Sequence, residues 1–256
     1  MNLVEVKDLH VFYGRHEAVK GVSFCLKKGE VLGIVGESGS GKSTIAKALM
    51  KLERAASGTI VVDSSATLQM IFQDAVGSLN PRMTVRQTLC EVLKLKGAAN
   101  PRRRAEELVE EVGLSPASLE QYPREMSGGQ CQRVSIARAL ASGSDVLIAD
   151  EPVSALDVSV QARILNLLRR LNQETGLSIV LIAHDLAVVK NICDRVVVME
   201  KGVAVDSGET AEVFSSPTSD YTKRLLAAVP GRNAAGCWKA QAQVMAEVGE
   251  LTSVHE

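Results

Sequence analysis

No stretch of this 256-residue chain approaches the roughly 18 consecutive apolar residues that a membrane-spanning helix needs. A helix crossing the bilayer is therefore not expected. The start, Met1-Asn2-Leu3-Val4-Glu5, lacks the basic and apolar regions of a secretory signal. Charge of either sign is not in surplus, because 29 Lys and Arg stand against 30 Asp and Glu. With a formal net charge of −1, no strong field points toward nucleic acid or an anionic membrane. The cysteines Cys25, Cys90, Cys131, Cys193 and Cys237 lie far apart, with no CxxC pair among them. Such scattered thiols fit a reducing compartment, so neither a disulfide framework nor a zinc site is expected. A soluble cytoplasmic protein follows from these absences. What the chain does have is 46% hydrophobic residues, enough for a sizeable core in one domain, or in one domain with an inserted lobe.

The most informative stretch is Gly36-Glu37-Ser38-Gly39-Ser40-Gly41-Lys42-Ser43. It fits the phosphate-binding pattern of two separated glycines followed by Lys and Ser. Val31 to Val35 reads as a buried strand before it, and Ile45, Leu49 and Leu52 repeat at helical spacing after it. Glycines let successive backbone N–H groups and a helix N-terminus converge on phosphate oxygens. Lys42 then reaches the β- and γ-phosphates, and the Ser43 hydroxyl ligates Mg²⁺.

Upstream, Val4–Val6, Leu9–Phe12 and Val22–Leu26 read as short strands, with Tyr13 at the end of the second. A ring there can stack on a base, although a lone Tyr is more often packing. Thr59 to Val62 and Thr67 to Phe72 read as a strand and its return around Asp63-Ser64-Ser65. Gln73 follows, a polar amide at a strand end that could touch Mg²⁺ or a water, or simply cap a loop. Residues of roughly 82 to 126 read as helical, with Val85, Leu89 and Val92 on one face and Leu108 and Val112 on another. The Arg102-Arg103-Arg104 run is expected to be a solvated helix start.

Ser127-Gly128-Gly129-Gln130 opens the next helix, an arrangement suited either to an anion or to an ordinary cap. Val146 to Ala149 is an apolar strand ending in Asp150-Glu151. An acidic pair at the carboxyl end of a parallel strand lies where open α/β sheets bind ligands. Asp150 suits a Mg²⁺ shell, and Glu151 suits a general base for water. Ser154 to Asp157 leads into a helix from Val160, and the buried strand Ser178–Ala183 ends in His184, on the same edge as the phosphates. Arg195–Met199 and Val203–Val205 read as a hairpin, and Glu209–Leu226 as mostly helix interrupted at Pro217. Beyond residue 230 the pattern weakens, with one short helix expected in 232 to 256.

Taken in this order, the motifs resemble the nucleotide-binding subunit of an ABC (ATP-binding cassette) transporter over roughly residues 3 to 230. The resemblance implies an α/β phosphate-loop NTPase core with a mostly parallel sheet, an antiparallel β lobe, a helical lobe inserted at roughly 82 to 140, and a tail over 231 to 256. It implies ATP and Mg²⁺ as cofactors. Nucleotide contacts would fall on Tyr13, Gly36, Glu37, Ser38, Gly39, Ser40, Gly41, Lys42, Ser43, Thr44 and Asp157. Mg²⁺ would sit on Ser43, Gln73 and Asp150, with Glu151, His184, Gln73 and Lys42 catalytic. Ser127, Gly128, Gly129 and Gln130 would serve in trans, closing over a nucleotide held by a second ATPase subunit, either a copy or a paralogue.

Within the family the chain is similar to the peptide/nickel importer group. Met70-Ile71-Phe72-Gln73-Asp74 running to Pro81, Ser154 to Ala162, and Tyr221-Thr222-Lys223-Arg224-Leu225-Leu226 carry that similarity. It implies integral-membrane permease partners, an indirect link to a solute-binding protein, no nucleic acid, and a place on the cytoplasmic face of the cell membrane. Peptide, nickel or a metal chelate all remain open as cargo. Met126 replaces the group's usual Leu, a volume-conserving change. Cys131 stands where a polar or basic residue is usual, and the segment from Gly58 to Gln73 is short. Cys237 alone stands where longer members carry a cysteine-rich tail, so no metal cluster is expected. An ABC ATPase acting on nucleic acid or ribosomes is the first alternative, and a regulatory subunit with little turnover the second. Against the latter stand an intact Glu151 and His184.

Overall fold

The computed structural model describes residues 1–154 and 156–228. The first half runs through β1 (Asn2–Tyr13), β2 (His16–Lys27), β3 (Val31–Val35), α1 (Lys42–Leu49), β4 (Ser57–Val62), β5 (Leu68–Ile71), α2 (Val85–Leu95) and α3 (Pro101–Glu111). Two 3-10 turns, Pro116–Glu120 and Pro123–Glu125, then lead to α4 (Gly128–Ala141), β6 (Val146–Asp150), α5 (Val158–Thr175), β7 (Ser178–Ala183) and α6 (Leu186–Ile192). The chain continues through β8 (Arg195–Glu200), β9 (Val203–Glu209), α7 (Thr210–Ser215) and α8 (Asp220–Ala228). Ala155, Cys237 and the short helix expected in 232 to 256 lie outside the described residues.

Six strands form the central sheet in the order β5-β6-β7-β3-β8-β9, parallel except for β9. Every residue of β3, β6 and β7 is buried. That follows from their apolar sequences, polar only at Asp150 and Ser178 on the ends of β6 and β7, which suit strands covered on both faces. Successive side chains point to opposite faces, so each strand feeds two separate cores. Val31, Val35, Leu147, Ala149, Ile179 and Leu181 pack beneath the helices α2 to α5. Leu32, Ile34, Ile148, Val180 and Ile182 pack instead with α1 and the antiparallel strands. Each fully buried aliphatic chain of this kind contributes roughly 1.5–3 kcal/mol.

The second sheet is antiparallel, in the order β2-β1-β4. The two short strands expected in residues 4 to 12 are one strand, bent by register shifts around Asp8, whose φ is 48°. The pairing expected between 59–62 and 67–72 does not form. β4 pairs with β1, with Val6 opposite Ile60, whereas β5 crosses to the main sheet and pairs in parallel with β6, Met70 opposite Ile148. The reason is burial. β4 is mostly exposed, so a return along it would leave Met70 and Ile71 in water, while beside β6 both are buried. At the β1–β4 crossing the strands come so close that a Cβ on Gly58 would lie 2.1 Å from the Asp8 carbonyl oxygen.

The helical segment is held by its caps and by a shared core. Thr84 accepts from the Gln87 amide while Gln87 returns the bond, and Asn100 accepts from Arg103 N ahead of Pro101. Leu89, Leu93, Leu108, Leu119 and Val134 form one cluster continuous with a face of the main sheet. The arginine run is solvated as expected, with Arg103 and Arg104 pairing with Glu107 and Glu111. Cys131 is fully buried, its thiol 3.5 Å from the Pro123 carbonyl oxygen. A small apolar residue suits that position, which accounts for the departure from a polar one.

Glu30, at the turn before β3, is buried, and its carboxylate pairs with Arg195 at 3.1 Å while accepting from Lys27 N at 2.6 Å. Removing Arg195 leaves that charge without its partner. Arg195→Ala should therefore destabilise the protein by about 3 kcal/mol in urea denaturation. Combining Arg195→Met with Glu30→Gln, which keeps an acceptor for Lys27 without the charge, should recover most of the loss.

Candidate active site

The parallel strands β3, β6 and β7 end at one edge, and each carries polar residues just past its tip. Past β3 the chain folds into the loop Gly36 to Gly41 and enters α1 at Lys42. A Cβ on Gly36 would lie 2.1 Å from the Met199 carbonyl oxygen, and one on Gly41 would lie 2.4 Å from that of Ala18. Only glycine lets the loop lie this close to its neighbours. The turn between β8 and β9 adds a bond from Gly202 N to the Ser40 carbonyl, 3.1 Å.

Inside the loop Lys42 is 4% exposed, and its ammonium donates to the carbonyls of Gly36 and Glu37, both at 2.8 Å. Burial lowers its pKa, opposed by the charges of Glu151 and Asp150. Ser43 Oγ donates to Asp150 Oδ1 at 3.0 Å, tying the start of α1 to the end of β6. Burial pushes the Asp150 carboxyl above its ordinary range, partly offset by the Ser43 bond. Thr44 is buried behind them, while Glu37, Ser38 and Gly39 face outward.

Glu151 has a φ of 46°, in the left-handed region that side chains rarely adopt. Its amide donates to the Ile182 carbonyl at 3.0 Å, which holds the backbone in that shape. The carboxylate accepts from Gln73 Nε2 at 3.3 Å and stands 3.5 Å from His184 Nδ1. Gln73 Nε2 also lies 3.2 Å from Ser154 Oγ. Strain at a carboxylate, held by several partners, is the pattern of a functional position. Sequence reasoning missed Ser154 as the second partner of Gln73 and the β8–β9 turn as a wall of the loop. Ser154 opens a motif, Ser154 to Asp157, that does not point to Gln73, and no motif marks the β8–β9 turn, since both contacts arise across the fold.

Two sets of expected residues are not joined to this cluster. Ser127 caps α4 by accepting from Gln130 N at 3.3 Å, while Gln130 Oε1 accepts from Ser127 N at 2.8 Å. Among the described residues, no hydrogen bond or ion pair links Ser127–Gln130 or the exposed Tyr13 to the phosphate loop. Gly129 is needed because a Cβ there would lie 2.4 Å from Val160 Cγ1. Asp157 caps α5, accepting from Val160 N at 3.0 Å and from Ser159 Oγ at 2.7 Å, contacts that lower its pKa.

The residues fit a magnesium nucleotide. A hydroxyl and a carboxylate 3.0 Å apart are the hard oxygen donors Mg²⁺ prefers. Ser40 Oγ is buried in the loop without a protein partner, as a phosphate-facing hydroxyl would be.

This is a phosphate-loop nucleotide-binding protein built on a parallel sheet. The family described as ABC transporter matches residues 19–154. The chain is 46% identical over 244 residues to the oligopeptide transport ATP-binding protein OppF of Haemophilus influenzae, covering 87% of this chain and 74% of that one. It is 47% identical over 259 residues to OppF of Escherichia coli K12, covering 89% and 78%. Among solved structures, a dimeric ATP-binding cassette in a post-hydrolysis state bound to ADP and Pi superposes with a TM-score of 0.73 at 29% identity, over 81% of this chain and 98% of that one. The chain belongs to the ABC transporter family, and it is an ATPase. No described helix is long and apolar enough to cross a membrane.

The raised pKa of Asp150 carries a stability consequence. A carboxyl whose folded pKa lies above its unfolded value of about 3.8 favours folding at low pH and opposes it once ionised. Asp150→Asn should therefore stabilise the protein at neutral pH, and its advantage should shrink as pH falls toward the unfolded pKa. Thermal melts of both proteins between pH 7 and pH 4, without nucleotide, check this.

Proposed function

We propose that this chain is the energy-coupling ATPase subunit of a membrane importer, working at the cytoplasmic face on integral-membrane permease partners. Oligopeptide transport in the names of the relatives favours peptides as cargo over nickel or a metal chelate. It also disfavours an ATPase acting on nucleic acid or ribosomes. A solute-binding protein would deliver the cargo, beyond any contact with this chain.

The observation that carries the reading is the cluster of Glu151, Gln73 and His184 beside the phosphate loop. Lys42 would bind the β- and γ-phosphates, and loop amides between Gly36 and Ser43 would cradle them. Tyr13 would lie against the base. Ser43, Asp150 and Gln73 would hold Mg²⁺, which when bound neutralises charge on the phosphate oxygens. Glu151 would take the proton of the attacking water, with His184 and Gln73 orienting the carboxylate. Gln73 also begins the segment leading to the helical lobe, so its position couples the site to residues 74 to 126. That segment would receive a permease loop.

Ser127 caps a 14-residue helix that Gly128, Gly129 and Gln130 begin. They would close over the nucleotide of a second ATPase subunit, as the dimeric state of the similar cassette supports. Whether that subunit is a copy or a paralogue, each chain would hold half of two sites, with Asp157 lining the joint.

Glu151→Gln should retain ATP binding while hydrolysis falls by ~10²–10⁴, the usual worth of a positioned general base. More than about a tenth of wild-type turnover in a single-turnover assay would remove Glu151 from that role. With ATP held but not hydrolysed, the same variant should form dimers, because nucleotide then persists between subunits. Adding Ser127→Arg should abolish those dimers and leave monomer nucleotide binding intact, as light scattering and equilibrium titration would record.

A further inference from the structure

The motif Tyr221 to Leu226 has no part in the chemistry above, yet it touches the phosphate loop. Tyr221, on α8, is 5% exposed, and its hydroxyl accepts a hydrogen bond from Glu37 N at 3.0 Å, across 184 residues of sequence. That N–H belongs to the peptide unit whose carbonyl is Gly36 O. In a trans peptide the two groups point in opposite directions, and no described peptide bond is cis. The Gly36 carbonyl accepts from Lys42 Nζ at 2.8 Å. One peptide plane is thus held from both ends, by the phenol outside the loop and the ammonium inside it.

The phenol is itself fixed. Asp206 on β9 accepts from Ser219 N at 3.0 Å, from Thr218 N at 3.3 Å and from the Thr218 hydroxyl, which pins the turn into α8. Tyr221 N donates to Ser219 Oγ at 3.1 Å, and Leu226 is fully buried one turn on. Arg224 lies 5.9 Å from the centroid of the Tyr221 ring and pairs with Glu200 at 3.8 Å. Burial lifts the hydroxyl above the ordinary tyrosine value of 10.0, so the phenol stays neutral.

We propose that Tyr221 is a positioning residue for nucleotide binding, which acts by fixing the Gly36–Glu37 peptide plane and through it the seat of Lys42. Without the hydroxyl, Glu37 N–H loses its partner and the plane can rotate. The loop then spends less time in the shape that binds phosphates, and apparent affinity falls with that population. The C-terminal helix and the phosphate loop form one coupled unit on this view, although no residue of α8 touches the reacting atoms.

The inference rests on reading Gly36–Ser43 as the phosphate site. It does not depend on import or on Glu151, so the test uses MgADP titrated into the full chain by calorimetry. Tyr221→Phe keeps the ring in its core position and removes one hydrogen bond, which should weaken MgADP binding about three- to tenfold. In ATPase assays KM for ATP should rise by a similar factor with kcat unchanged, the mark of lost uniform binding. A merely structural role would lower Tm and leave affinity alone. Asp206→Ala should weaken binding comparably by releasing α8, and the double variant should lose little more, because both act through one contact. Wild-type affinity and KM in Tyr221→Phe would overturn the proposal, and fully additive losses would overturn the route from Asp206 through Tyr221. Lys42→Ala separates the two readings. Strong loss there alongside an unchanged Tyr221→Phe removes only the tyrosine, whereas intact binding in Lys42→Ala removes the phosphate site and this inference with it.

Discussion

Burial of the adjacent strands β6, β7 and β3 on both faces is the constraint on which the remaining structure depends. Apart from Ser178 and Asp150 at strand ends, the side chains along them lie in one core or the other, and a polar side chain between those ends would carry a large desolvation cost. Polar groups are therefore confined to the tips. Parallel pairing puts those tips on one edge, so Lys42 and Ser43, Asp150 and Glu151, and His184 gather there from three separate stretches of chain. The clustering of chemistry is a consequence of the packing of apolar strands.

That edge is also where the protein accepts local cost. Lys42 and Asp150 are almost wholly buried, and Glu151 sits in a backbone conformation that side chains avoid. Each is tolerated because its surroundings over-determine it. Lys42 has two carbonyls, Asp150 has Ser43, and Glu151 has Gln73, His184 and an amide bond to β7. Charged groups held dry and preorganised interact strongly with a charged ligand, which is the physical return for the stability given up.

Around this edge the remaining elements act as walls. The β8–β9 turn and α8 hold the phosphate loop from outside, through Gly202 and Tyr221. The helical segment shares its core with one face of the sheet, and Ile71 and Ala75 on either side of Gln73 belong to that core. α4 begins at the exposed Ser127, whose hydroxyl caps the helix by accepting from Gln130 N.

Much of this was legible in the sequence, because the informative signals were local. Unbroken apolar runs marked β3, β6 and β7. Gly36 to Ser43 marked a tight phosphate-type loop between strand and helix, and Ser127 capped a helix where its type suggests. Those features depend on a residue and its near neighbours, so sequence order suffices to determine them. What only the tertiary structure decided was partnership at a distance. β4 and β5 looked like a hairpin because a turn separates them, yet burial of Met70 and Ile71 sent β5 to the main sheet beside β6. A buried Cys131, the Gln73–Ser154 contact and the Tyr221–Glu37 bond likewise depend on which surfaces meet. Pairing across long separations is set by the competition of all buried surfaces at once, and no short window of sequence contains that competition.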